Sequence, residues 1–394
     1  MNITTNIEKG NESRDQVLMV ETFLNENYEF RKNVLSGKYE FHDQDNTSWR
    51  PITMEAKNSI IRKAKMMCIG ERRLKTDIEE FIFSEETERY DPIKEYLDTL
   101  PAWDGKNRSG ELFSRIPGIT PEQVFYCSIW LRSAVAHRLG MDTLHGNECV
   151  PTLIGAQGCG KSTFCQRLLP QHLRVYYLDH INLSNKFDKE MALTSNMLVN
   201  IDELDRIKKS QQADMKQTLS KNKVNGRRIY HDSQDDRRRY ASFIATTNNP
   251  HPLQDPTGSR RFICITIPKG MIINNSEEID YEQLYAQVVH ELRENKLRYW
   301  FTTEETETIQ KNNAQYQMVT DFPTMVSMCV RKPDANENVR GITSKEIVAA
   351  MERKFPEMLK TANTAIRLGI VMKKLGYETK KCDGIMRYQC KITE

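Results

Sequence analysis

The chain has 394 residues, room for about two to three domains. With 38% hydrophobic and 28% charged residues it has the composition of a soluble globular protein, and 57 basic against 54 acidic residues leave a formal charge of +3, which does not by itself mark a nucleic-acid binder. No run approaches about 18 apolar residues, which excludes a membrane span; the polar start MNITTNIEKGNESRDQ lacks a secretory signal, and nine scattered cysteines without a CxxC predict free thiols in a cytoplasmic protein.

Residues 1–15 are polar and carry no apolar periodicity, which predicts a disordered tail. YEFRKNVLSGKYEF (28–41) alternates and turns at Ser36-Gly37, as a β-hairpin does. Residues 53–83 have helical spacing, with Ile60, Ile61, Ala64 and Met67 on one face and Ile78, Phe81 and Ile82 on another. A short helix lies between Pro92 and Pro101, WDGKNR (103–108) reads as a turn, and a strong helix runs from Pro121 to Gly140. The texture then changes. CVPTLIG (149–155), RVYYL (174–178), MLVNI (197–201), ASFIATT (241–247) and RFICITI (261–267) are β-rich runs, most of them separated by helical patterns. That alternation predicts a parallel sheet with crossover helices. Residues 281–300 and 303–330 read as helical, and PDANEN (333–338) as a linker. The block 339–394 reads as two helices and a strand–turn–strand around Asp383-Gly384, with twelve basic and six acidic residues. It resembles a winged helix, in which a helix such as 361–376 enters a major groove and the wing touches phosphate.

The chemistry concentrates in the middle. Gly155-Ala-Gln-Gly158-Cys159-Gly160-Lys161-Ser162-Thr163 matches G-x-x-x-x-G-K-[ST], after an apolar strand and before a helix. Glycines let the backbone turn its N–H groups onto phosphates, Lys161 supplies a charge at the β/γ-phosphates of a nucleoside triphosphate, and the Ser162 hydroxyl suits Mg²⁺. MLVNIDELD (197–205) ends a strand in two acids: Asp202 would hold Mg²⁺ through water and Glu203 would polarise the attacking water. Asn248 ends a third strand, where its amide could bond both the γ-phosphate and the water. TGSRRF (257–262) offers Arg260 and Arg261 as a finger for a neighbouring subunit's site, with no sign of which one serves.

The motif order within 155–249, followed by GSRRF, resembles the superfamily 3 helicases within the AAA+ ATPases. GAQGCGKSTF, NIDELD, ATTNNP and GSRRF, with WDGKNR upstream, are similar to the virulence-associated E (VapE) family of phage and genomic-island proteins, over about residues 90–300. The resemblance implies a ring-shaped, hexameric, ATP-driven DNA translocase that replicates a mobile element. Some relatives carry a primase-polymerase domain, for which the residues before the match leave no room. In superfamily 3 enzymes the segment between the acidic strand and the Asn strand is a hairpin in the ring's channel. Here that segment, 221–239, carries Lys221, Lys223, Arg227, Arg228, Arg237, Arg238 and Arg239 against three acids, a set suited to gripping single-stranded DNA through its phosphates.

The layout expected is α/β: a tail (1–15), an α+β N-terminal domain (16–110) that serves as a collar or binds replication proteins, a P-loop AAA+ core (111–300), a helical connector and linker (301–338) and a winged-helix-like domain (339–394). Asn185-Lys186-Phe187-Asp188 spells the guanine-reading N-K-x-D, but it precedes Asp202 where a GTPase has it after the metal-binding aspartate. A two-lobed DExD helicase would need a second lobe after about residue 250. A DNA-binding AAA+ switch that regulates or defends without unwinding is the alternative reading.

Overall fold

The computed structural model describes the chain apart from Met1, 70–72, 142–146, Ser184, Lys208, Asn222, 228–233, 256–258, 319–320, 335–336, 338–340, 356–360, Ala362, Asp383 and Glu394; for 2–13, 206, 209–210, 212–213, 225–227, 234–237 and 382 it describes the backbone alone. Packing divides the chain into two units, Met1–Pro101 and Ala102–Glu394.

The first unit begins with helix α1 (Asn2–Asn27), so residues 2–15 are helical rather than a disordered tail. Their sequence is polar, but it continues a segment that packs Val20, Phe23 and Leu24 into a core. The expected hairpin is β1 (Tyr28–Asn33) with β2 (Tyr39–Asp43), extended by β3 (Asn46–Pro51) and a short parallel strand β4 (Glu88–Tyr90) into a sheet ordered β3-β2-β1-β4. The 53–83 periodicity resolves into two helices, α2 (Met54–Met66) and α3 (Leu74–Ile82). The Thr53 hydroxyl caps α2, and a non-glycine left-handed residue, Cys68, follows its end. Ile60, Ile61, Ala64, Ile78 and Ile82 fill the space between these helices and the sheet. Helix α4 (Pro92–Asp98), capped by Asp91, closes the unit.

The second unit opens with α5 (Arg108–Ser114) and α6 (Pro121–Arg138). A reciprocal Thr120/Gln123 capping box and Pro121 start α6, and its second half is buried on all sides. Then come β5 (Val150–Ile154), α7 (Lys161–Gln166), β6 (Tyr177–Leu178), α8 (Lys186–Ser195), β7 (Leu198–Ile201), α9 (Lys209–Ser220), β8 (Lys223–Arg227), β9 (Gln234–Arg238), β10 (Ser242–Thr247) and β11 (Phe262–Thr266). β5, β6, β7, β10 and β11 form one wholly parallel sheet in the order β11-β5-β10-β7-β6. Every residue of β5, β7 and β10 is buried, as a parallel sheet covered on both faces requires. Of the expected RVYYL strand only Tyr177–Leu178 pairs, because 171–176 form a 3₁₀ turn. N-K-x-D is a helix cap: Asn185 Oδ1 accepts from Phe187 N (2.9 Å) at the start of α8.

Helix α10 (Tyr281–Arg293) packs on α5 and α6, and α11 (Thr303–Asn312) returns toward the start of β11, where Asn313 donates to Ser259 O (2.6 Å) and Phe262 O (2.7 Å). The expected helix 303–330 breaks there, and α12 (Phe322–Cys329) belongs to the C-terminal cluster instead. That cluster combines α12, α13 (Ser344–Lys354) and α14 (Thr364–Lys374) with the hairpin β13 (Thr379–Cys382) and β14 (Ile385–Tyr388). β12 (Val330–Arg331) pairs with β15 (Lys391–Ile392). Phe322, Met325, Val326 and Cys329 are part of this cluster's core, so α12 packs with the segment expected to begin at 339. Among the described residues no helix is long and apolar enough to cross a membrane. Among the described residues eight cysteines are free thiols, and burial pushes Cys127, Cys149, Cys165 and Cys264 up from the usual thiol range.

Candidate nucleotide-binding site

The chain leaves β5 toward β6 and leaves β10 toward β11, so the two connections run in opposite directions across the sheet. Such a divergence opens a crevice at the C-terminal ends of the strands. The three motifs meet there, on the adjacent strands β5, β10 and β7.

β5 ends in the glycine loop. Gly158 and Gly160 have φ of +82° and +89°, a left-handed conformation that other residues adopt at a cost. Lys161 is 7% exposed, and its ammonium donates to Gly155 O (2.8 Å), Ala156 O (2.9 Å) and Asn248 Oδ1 (2.9 Å), with Cys159 Sγ at 3.6 Å. An ammonium has three protons, so a phosphate oxygen entering the loop would compete for bonds already directed at this point. The side chains of Ser162 and Thr163 are exposed beside it.

The middle strand β10 ties the other two together through its last residues. Thr246 Oγ1 donates to Asp202 Oδ1 (2.5 Å), Thr247 Oγ1 donates to Asp205, and Asn248 accepts from Lys161. Asp202 is exposed, and the Thr246 hydroxyl orients one of its carboxylate oxygens. Glu203 has φ +51° and ψ +55°, left-handed without being glycine. That costs about 1–2 kcal/mol, and such outliers concentrate where a side chain must be aimed. A cleft of ≈ 190 Å³ beside the two acids is lined by His180, Asn182, Asp202, Glu203 and Gln211 among others. Thr246, Thr247 and Asp205 were not singled out in the sequence; two consecutive threonines before the expected Asn were the available signal.

The arginines of the GSRRF segment differ from each other. Arg261 is mostly buried, donates to Ser220 Oγ (3.0 Å) and lies 3.5 Å from a Glu148 carboxylate oxygen. Arg260 is exposed and, among the described residues, makes no ion pair or hydrogen bond.

WDGKNR clamps the start of the second unit to α10. Arg108 makes a bidentate pair with Asp104 (2.6 and 2.9 Å) and reaches Asp280 at 3.2 Å, the Trp103 indole donates to Lys106 O (2.9 Å), and Gln283 and Gln287 of α10 bond Asp104 N and Ser109 N. These bonds place 102–110 with the second unit, not with the N-terminal domain expected to end at 110.

The basic segment forms the expected hairpin, β8 with β9, in the register Lys223↔Arg238 to Arg227↔Gln234. Lys223 is exposed and Lys221 half-buried. Arg238 lies against the end of α6, with Nη1 3.2 Å from where a Cβ on Gly140 would stand. Arg228 and the side chains of Arg227 and Arg237 lie outside the described residues. Arg239 overturns the expectation of a DNA contact. It is fully buried, and its guanidinium donates to Ala241 O (2.9 Å), Thr218 O (3.3 Å), Lys221 O (3.0 Å), Asn147 O (3.0 Å) and Leu219 O, over the Phe243 ring. Carbonyls at the end of α9 need donors, and this fork supplies them. His137 sits close by, accepts from Asn147 N (2.8 Å), and is pushed down to about 3 by burial and then by the Arg239 and Arg238 charges.

Among solved structures, the apo C-terminal region of NrS-1 aligns over 95% of this chain and 98% of its own, at 12% identity and a TM-score of 0.45. SCCmec type IV Cch, described as an active helicase, aligns over 92% of each chain at 9% identity and 0.34. A point mutant of Thermotoga maritima RuvB aligns over 69% of this chain and 93% of its own, at 12% identity and 0.27. No curated protein matches in sequence. Residues 97–318, more than half of the chain, match the virulence-associated protein E-like domain, and the chain belongs to that family.

Proposed function

We propose that this protein is an ATPase whose site lies across the ends of β5, β10 and β7, and that it assembles as a ring, by the family resemblance a hexamer, which moves along DNA in the replication of a phage or mobile element inside a bacterial cell. The observation that carries the catalytic part is the 2.9 Å bond from Lys161 Nζ to Asn248 Oδ1, which joins two motifs 87 residues apart at the mouth of one crevice. Gly155, Gly158, Cys159, Gly160, Ser162 and Thr163 cradle the phosphates of ATP. Lys161 carries the opposing charge. Ser162 and Asp202 are the groups that would hold Mg²⁺, which neutralises phosphate charge when bound; the Asp202 carboxylate oriented by Thr246 suits that use. Glu203 orients and deprotonates the attacking water, and Asn248 holds the γ-phosphate end in place. Arg260, exposed and without an ion pair or hydrogen bond among the described residues, is the arginine offered to a neighbouring copy, while Arg261 secures the start of β11 to Ser220 and Glu148.

In this reading residues 1–101 form a module for replication proteins or a ring collar, 102–320 the ATPase, and 321–394 a winged-helix-like module. The three helices, the β13–β14 hairpin and the β12–β15 pair support the last assignment. Lys221, Lys223, Arg227, Arg228, Arg237 and Arg238 remain the hairpin's DNA-gripping set, without Arg239. One observation favours the second reading, a DNA-binding ATPase switch that does not unwind: the loss of Arg239 and the lodging of Arg238 against α6 leave fewer free cations than the sequence counts. ATP hydrolysis by wild type and Lys161→Ala tests the ATPase reading, which requires turnover in the first and a loss of at least about 100-fold in the second. Equal rates would remove the site.

A further inference from the structure

The glycine loop is held from behind by a segment to which no motif points. Ile273 N donates to Cys159 O (3.0 Å), and the Asn275 side-chain amide donates to Gly160 O (2.9 Å). These are two successive carbonyls. In a trans peptide the carbonyl of one residue and the N–H of the next point in opposite directions. Fixing the Cys159 carbonyl on Ile273 therefore aims Gly160 N–H away from that segment. Fixing the Gly160 carbonyl on Asn275 does the same for Lys161 N–H. The left-handed Gly158 and Gly160 on either side of Cys159 bring such N–H groups onto one side of the loop. Among the described residues neither N–H has an acceptor within the chain.

The brace is itself fixed. Arg115 donates to Glu277 O (3.1 Å) and Glu278 O (2.9 Å), and Arg167, which caps α7, donates to Glu277 O (2.7 Å). Tyr281 and Tyr285 of α10 donate to Arg167 O (2.7 Å) and Leu168 O (2.8 Å). The fit is close: a Cβ on Gly160 would stand 2.6 Å from Asn275 Nδ2.

We propose that Asn275 is a positioning residue for phosphate binding, which sets the Gly160–Lys161 peptide plane so that its N–H faces the phosphate chain of the nucleotide. It acts through the loop and touches no substrate. The inference rests on the nucleotide-binding reading above, and its test separates the two. Asn275→Ala removes the donor. Asn275→Ser keeps a shorter one. Asn275→Asp sets a carboxylate against the Gly160 carbonyl, which turns the peptide plane and adds negative charge behind the loop.

The experiment is a titration of wild type and the three variants with a fluorescent ATP analogue and with inorganic pyrophosphate, beside the thermal midpoint of each protein without nucleotide. The expected affinity order for both probes is wild type, Ser, Ala, Asp. Ala loses about 3–10-fold, the range for one hydrogen bond, and Asp loses more. A residue that only stabilised the fold would order the thermal midpoints and leave the affinity of the folded fraction unchanged. Wild type that binds ATP beside variants that bind equally well, or in another order, overturns the role of Asn275. Wild type that fails to bind ATP overturns the nucleotide reading itself. Should Asn275→Asp not fold, the order of wild type, Ser and Ala still decides.

Discussion

The glycine loop and the basic hairpin each bury a cation among carbonyl oxygens, and the two cations serve different ends. Lys161 shares its protons between two carbonyls of its own loop and the Asn248 amide oxygen, next to exposed Ser162 and Asp202. Arg239 turns all three of its nitrogens onto backbone carbonyls from three segments and has no surface. The first cation can exchange a bond for a phosphate oxygen. The second cannot let go without uncovering the end of α9. Charge in a sequence thus marks a ligand site only where the surrounding backbone leaves the cation an alternative partner.

The comparison is open to breakage at both ends. The largest expected effect is on Lys161→Ala, whose hydrolysis of ATP falls by at least about 100-fold with a smaller loss of stability than Arg239→Ala. Arg239→Ala should do the reverse. It leaves several buried carbonyls without donors and costs about 3–5 kcal/mol, read as a shifted denaturant midpoint. Lys223→Ala, at an exposed position of the hairpin, should stay within about 0.5 kcal/mol of wild type. A stable Arg239→Ala that lost only DNA affinity would restore the charge-run reading.

The next effect is on subunit mixing. Glu203→Gln and Arg260→Ala proteins, each inactive alone, should regain activity when mixed, because a fraction of interfaces then pairs an intact acid with an intact arginine. Recovery with Arg261→Ala in place of Arg260→Ala would shift the finger by one residue.

The last effect is a pH dependence. Unfolded His137 titrates near 6.5, while the folded imidazole, buried beside two arginines, is held down to about 3. Below pH 6.5 the unfolded state binds the extra proton, so stability falls with pH across the window from 6.5 to about 3. The slope from this one group is at most about 1.4 kcal/mol per pH unit. His137→Gln, which can still accept from Asn147 N, should flatten that part of the curve.

What could be read in advance follows from how each signal arises. The five strands were legible because buried parallel strands are continuous apolar runs, although RVYYL lost most of its length to a 3₁₀ turn. The meeting of Lys161, Asp202 and Asn248 at one crevice was legible because each follows an apolar run that reads as a strand. Thr246, Thr247 and Asn275 act through ordinary hydrogen bonds to partners tens of residues away, which leave no local pattern. The packing of α12 was hidden for a similar reason. Phe322, Met325 and Val326 carry the same helical spacing whether they join the connector or the C-terminal core, and only packing assigns them. The net charge divides along the same line: residues 1–101 hold 15 basic and 20 acidic side chains, and 102–394 hold 42 and 34, so the near-neutral whole hides an acidic module joined to a basic one.

The central claim is that the crevice at β5, β10 and β7 turns over ATP in the service of DNA. Its most direct test is the ATP hydrolysis rate of the sized, full-length protein at low salt, with and without single-stranded DNA, beside Lys161→Ala. The account predicts an oligomer whose rate rises several-fold on adding DNA, falls back as salt increases, and vanishes in the variant. A monomer, or a rate that DNA leaves unchanged while Lys161→Ala still abolishes it, would contradict translocation and leave the switch.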